Sequence, residues 1–160
     1  MPERTEAAER RSAARATALR DGLDAGLAAA GATRETAGEL PPALLLAVRL
    51  GASEWLLSVT TAHARSRRVG DGPLLANPLV RGQLAEILVE QRMVEAHLEG
   101  IDAAAEPPTW VRLHRRITDA DRALLRLLGA RGYLEDGPGG LAMASEAIGF
   151  AGAPPAGARA

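Results

Sequence analysis

Four stretches of this chain repeat apolar residues at helical spacing, and none alternates with the period of two that a half-buried strand requires. The pattern predicts an all-α fold. A first helix is expected over about residues 6–30, where Leu19, Leu23 and Leu27 share a face, Gly22 and Gly26 weaken it, and Gly31 stops it. A linker over 32–40 ends in Pro41 and Pro42, which cannot lie inside a helix but can open one. The second helix, over 42–66, sets Leu46, Leu50, Leu57 and Thr61 near one face with Trp55 beside them. Residues 69–76 read as a Gly/Pro loop, and Asn77 before Pro78 reads as an N-cap with proline at the first helical position. From there a third helix is expected to run to about residue 105 on a stripe of Leu84, Ile87, Leu88, Val94, Leu98 and Ile101. The fourth, over about 109–128, follows Glu106-Pro107-Pro108 and is stopped by Gly129 and Gly132. Beyond residue 137 glycine, alanine and proline dominate, which leaves room for one short helix near 141–148 and predicts a flexible tail over 151–160. Four helices with short to medium connections predict an up-down four-helix bundle.

Composition narrows the chemistry. The chain has 160 residues, 19 basic side chains that are all arginine, 20 acidic ones and a net charge of −1. Such a balance argues against tracking of nucleic-acid phosphates, and four aromatic rings argue against stacking on single strands. The absence of cysteine excludes disulfides, thiol nucleophiles and iron–sulfur clusters. The longest apolar run, 43–50, is broken by Arg49, and residues 1–20 lack an apolar signal core, so a cytoplasmic location is expected and no membrane partner.

Motif chemistry alone gives no enzyme. His63, His97 and His114 fall on three predicted helices, but the Glu-x-x-His pairs of a di-metal bundle are missing, and no metal is expected. Glu86/Glu90 and Glu95/Glu99 read as a solvated face. Gly129-Ala130-Arg131-Gly132 follows a helix and not a strand, so it is no dinucleotide fingerprint. The cluster Arg65, Arg67 and Arg68 complements a helix C-terminus.

The order of the pieces is more specific than any one of them. An apolar helix with an Arg-rich end and a Gly loop precedes Pro78-Leu79-Val80-Arg81-Gly82-Gln83-Leu84-Ala85-Glu86, and Leu127-Leu128-Gly129-Ala130-Arg131-Gly132-Tyr133 and Pro138 follow. Over about residues 40–150 this resembles the C-terminal helical domain of the acyl-CoA dehydrogenase family. The resemblance divides the chain into an N-terminal helix and linker (1–39), the bundle (40–150) and a tail (151–160).

Members of that family are FAD-dependent oxidoreductases of acyl-CoA, in which this bundle builds the oligomer and touches a neighbouring subunit's flavin. The resemblance places Arg67 and Val69 where the family has Arg-x-x-Phe-Gly, keeping the cation and losing the ring. It places Arg126, Gly129 and Ala130 on the family's Gln-x-Leu-Gly-Gly turn, with Gly132 keeping part of that surface. The implied cofactor-binding residues are therefore Arg67, Val69, Arg126, Gly129 and Gly132. Ala151 stands where the usual catalytic glutamate would be, and Glu39 is the remaining candidate base, near the position some members use. The middle β-domain is not expected within residues 1–39. The resemblance then implies an accessory subunit without its own base, docked on a full-length flavin-dependent relative and sharing that chain's FAD. Alternatives are a contributing subunit of an active acyl-thioester dehydrogenase, or a self-associated bundle repurposed without flavin.

Overall fold

The computed structural model describes residues 40–101, 106–134 and 137–151, and four helices order them. They are α1 (Pro42–Ser66), α2 (Pro78–Gly100), α3 (Pro107–Leu128) and α4 (Gly139–Ala151). The helix expected over 6–30, the linker, Glu39 and the tail beyond Ala151 lie outside the described residues. The bundle is nonetheless four-stranded in its helices, because the Gly/Ala-rich C-terminal segment supplies the fourth member. That segment is longer than the short helix expected from the sequence, and it extends into the residues expected to be tail. Its glycines lower intrinsic helix propensity and its alanines raise it, and the small side chains let it lie close against α1 and α3.

The bounds of α1 agree with the sequence expectation. Those of α2 and α3 shift: α2 stops at Gly100 rather than near 105, and α3 begins at Pro107 rather than at Thr109. Prolines at the first helical positions cost nothing there, because the first-turn N–H groups have no intrahelical acceptor anyway. Asn77 caps α2 as expected, its Oδ1 accepting from the Leu79 N–H at 2.9 Å. The expected loop at 69–76 contains a two-residue antiparallel ribbon, β1 (Arg68–Val69) with β2 (Gly72–Pro73), and a 3-10 turn over Leu74–Ala76. α3 ends at Leu128 and is capped by Gly129, whose φ of 61° lies in the region glycine favours, and a second 3-10 turn covers Gly129–Tyr133.

Packing shows the up-down order. Leu46 and Leu50 near the start of α1 meet Val94 late in α2 and Trp110, Leu113 and Ile117 early in α3. At the other end, Leu56 and Ala64 meet Val80, Leu84 and Ile87, with Leu124, Leu128 and Ala142 closing the cluster. The ribbon, the start of α2, the turn after α3 and the start of α4 therefore share one end, the hairpin end. α1 is long and apolar enough to cross a bilayer by length and composition alone. Here its apolar surface packs against the three other helices.

Of the stripe expected for α1, Leu46 and Leu50 are buried, whereas Leu57 and Thr61 line an outer groove against α2; the buried face also takes in Leu45, Arg49, Ala52, Ser53, Leu56, Thr60 and Ala64. Three polar residues occupy the core-facing row, because partners on other helices satisfy two of them and Thr60 bonds back to the Leu56 carbonyl.

The start of α4 is seated by backbone contact. A methyl added at Gly139 would lie 2.2 Å from the Gly132 carbonyl oxygen. Gly139→Ala is therefore expected to force α4 off the preceding turn and cost about 1–3 kcal/mol, read as a lower midpoint in chemical denaturation.

Candidate functional site

Two polar regions stand out against the apolar clusters. The first is the hairpin end. Arg67 follows the last turn of α1; its N–H donates to the His63 carbonyl at 2.9 Å and its own carbonyl accepts from Leu74 N–H at 2.7 Å. The backbone is thus pinned while the guanidinium is exposed. Val69 in the ribbon is also exposed. Arg126 is exposed on the last turn of α3, and its carbonyl accepts from the Gly129 N–H. Gly132 is buried against Leu125 and Leu128, where a side chain would collide with the Leu125 carbonyl.

Sequence reasoning missed two residues of this end, His63 and Arg131. Both ring nitrogens of His63 are buried without a hydrogen-bond partner. Burial lowers its pKa first, and the charges of Arg131 and Arg67 lower it further. Those two charges act on one imidazole, so the loop after α1 and the turn after α3 converge there. Around them Val69, Leu79, Tyr133, Leu134 and Met143 are each more than half exposed, all on segments of the hairpin end.

The second region crosses the middle of the bundle and separates the two apolar clusters. Arg49 on α1 is 1 % exposed. Its Nε donates to Ser145 Oγ at 3.2 Å, its Nη1 to the His114 carbonyl at 3.1 Å and to His114 Nδ1 at 3.1 Å, and its Nη2 to Thr118 Oγ1 at 2.8 Å. Four of five guanidinium N–H groups are thereby used, and none reaches a carboxylate among the described residues. Arginine cannot accept, so His114 Nδ1 is the acceptor and the ring proton sits on Nε2, which is buried without a partner. Burial, and next the Arg49 charge, push the His114 pKa down to about 4. One turn on, Gln91 Nε2 donates to Ser53 Oγ at 2.8 Å, and Ser53 hydrogen-bonds Asp121. Asp121 Oδ1 has no partner, and burial raises its pKa to about 6 against the pull of Ser53 and Arg49.

The three histidines do not converge. His63 lies at the hairpin end, His114 in the polar layer, and His97 on the outside of α2 with its Nδ1 on the Met93 carbonyl. Among the described residues no three His, Asp or Glu side chains are grouped to hold a metal ion.

A family model described as "Acyl-CoA dehydrogenase, C-terminal domain" matches residues 43–147, which span α1 through most of α4. The chain belongs to that family. No curated protein matched it. Acyl-CoA dehydrogenases are in general FAD-dependent and their C-terminal domains typically oligomerise. At the hairpin end the donor set suits an anionic diphosphate, with exposed Arg67 and Arg126 and a glycine turn at Gly129. It does not suit ring stacking, since Val69 presents no aromatic face. Ala151, the last residue of α4, has no group that accepts a proton.

Proposed function

We propose that this acyl-CoA dehydrogenase C-terminal domain acts as an accessory subunit. In this reading it docks by its hairpin end on a flavin-dependent acyl-CoA dehydrogenase-like chain and offers Arg67 and Arg126 to the diphosphate of that chain's FAD. The observation that carries it is the composition of that end. Exposed apolar side chains, Val69, Leu79, Tyr133, Leu134 and Met143, share it with exposed guanidiniums, which suits a surface that is buried on assembly. The domain contributes charge-assisted hydrogen bonds and backbone approach at Gly129, and the partner contributes the base that Ala151 does not.

Arg67→Ala and Arg126→Ala test it, because both side chains are exposed and their loss leaves the core intact. Each is expected to lower the FAD content of the purified complex, measured as flavin absorbance per partner chain, with the double variant lowest. Full flavin content in both single variants and the double variant contradicts the role.

A further inference from the structure

The contacts of the bundle cover one side of α1 and leave another bare. Leu44, Ala47, Gly51, Ser58 and Ala62 recur at helical spacing on its solvent side, and all five are exposed. No charge lies among them. Between Pro42 and Ala64 the helix carries two charged side chains: Arg49 is buried in the polar layer, and Glu54 lies 3.5 Å from Arg92 on α2. Ser58 spends its hydroxyl on the Trp55 carbonyl of its own helix at 2.7 Å. The other long helices differ, since α2 turns Arg81 and Glu86 to solvent and α3 turns Arg112 and Arg115. Charged outer faces are what helices bordering water present, whereas an uncharged face of about five turns marks a helix that is packed on that side as well.

We propose that residues 16–30 of this same chain cover that face, as a helix antiparallel to α1. The 39 residues that precede the described part join it at Leu40, where the bare face begins. Spacing sets Leu19, Leu23 and Leu27 with Gly22 and Gly26 on one face of the expected helix, and Asp21 and Asp24 on the other. Residues 31–41 connect it to α1. An antiparallel neighbour needs them to cross only the about 8–10 Å between packed helix axes, whereas a parallel one would need them to run back the helix's whole length almost fully extended. In the antiparallel register Gly22 lies opposite Gly51 and Gly26 opposite Ala47, so the backbones can approach closely. A methyl added at Gly51 would meet nothing within 4 Å, which leaves that space open to a neighbour. The tether also selects the occupant, because over so short a linker the segment is present at an effective concentration of about millimolar, which a second copy or another chain would have to exceed. This face runs along α1 rather than across the hairpin end, and the proposal does not depend on the docking reading.

Paramagnetic broadening in the ¹⁵N-labelled full chain tests the proposal. The chain has no cysteine, so Thr17→Cys carries a nitroxide at one position, on the polar side of the expected helix and level with Leu56 in this register. Packing on α1 predicts the strongest broadening at the amides of residues 53–59, falling off towards 42–44, about 20 Å down the helix. A segment that is not packed there gives the reverse gradient, strongest at 40–44 where the tether joins. Leu23→Asp, and separately Ser58→Glu, put a carboxylate into the contact and should move the maximum to 40–44. Both should leave the amide shifts of α3 and α4 in place, since Ser58 is exposed and Leu23 lies outside the described bundle. A maximum at 40–44 without either substitution, or one that stays at 53–59 in both variants, overturns the proposal. So does broadening at 53–59 when ¹⁵N chain without nitroxide is mixed with spin-labelled ¹⁴N chain, which would make the occupant a second copy.

Discussion

Gly149→Ala is expected to destabilise the fold by about 2 kcal/mol, and the same substitution is expected to be neutral or slightly stabilising once Arg49 is Met. The added methyl would sit 2.1 Å from Arg49 Nη1 and 2.8 Å from Cζ. A surface arginine would swing aside. This one is 1 % exposed and fixed by four hydrogen bonds to α3 and α4, so moving it breaks bonds at His114, Thr118 and Ser145 with no water to replace them. Methionine at position 49 fills similar space without a fork, and the methyl then has room. What remains is intrinsic propensity, which favours alanine over glycine within a helix by about 0.5–1 kcal/mol. The sign of the Gly149→Ala effect should therefore depend on residue 49. Urea denaturation of the four members of the cycle measures it, and an equal loss in both backgrounds would show that the guanidinium is not what Gly149 accommodates.

The second large effect is a hidden pH dependence. Asp121 rises from an ordinary 3.8 to about 6 in the folded chain, so its ionisation is resisted. Its contribution to stability is whole below pH 3.8 and is lost as pH climbs through about 6. His114 runs the other way, from 6.5 to about 4, so its contribution is whole above pH 6.5 and is lost as pH falls towards 4. Each is worth about 3 kcal/mol at about 1.4 kcal/mol per pH unit between the two pKa values, and between pH 4 and 6 the slopes oppose one another. Arg49, facing both, keeps its charge across this range. His63, also depressed by burial, adds a rise with pH to every variant. Wild-type stability should thus vary little from pH 4 to 6. Asp121→Asn removes the falling component, and its stability should climb by about 2–3 kcal/mol from pH 4 to 6.5. His114→Asn keeps an acceptor for Arg49 but does not titrate, and its stability should fall with pH, less the share His63 returns. Parallel pH profiles for wild type and both variants would contradict these assignments.

Much of the fold was legible because its signals are local. The proline pair opening α1, the Asn77-Pro78 cap of α2 and Gly129 closing α3 each satisfy or replace backbone groups within a few residues. The polar layer was not legible in that way. Arg49 reads as an interruption of an apolar run, because the partners that bury it, His114, Thr118 and Ser145, are 65 to 96 residues away. A signal did exist. Arg49, Ser53, Leu56 and Thr60 keep helical spacing, and placing polar residues in that row marks a face either exposed or bonded across the core.

The same distinction applies to the sites. Resemblance brought Arg67, Val69, Arg126, Gly129 and Gly132 together from two distant segments, and the structure sets those segments at one end of the bundle. His63 carries no motif, and Arg131 has no role implied by the Leu127–Tyr133 stretch that contains it; both emerge from that proximity. Glycine-rich sequence made the helix expected near 141–148 shorter than α4 for a related reason: the seating of its ends rests on what Gly139 and Gly149 allow it to approach.

The measurement that bears most directly on the accessory-subunit role is native mass spectrometry of the protein purified from its own source, reading the masses of co-purified chains and bound FAD. Docking predicts a complex with a larger acyl-CoA dehydrogenase-like chain that retains FAD. A flavin-free homo-oligomer would contradict it.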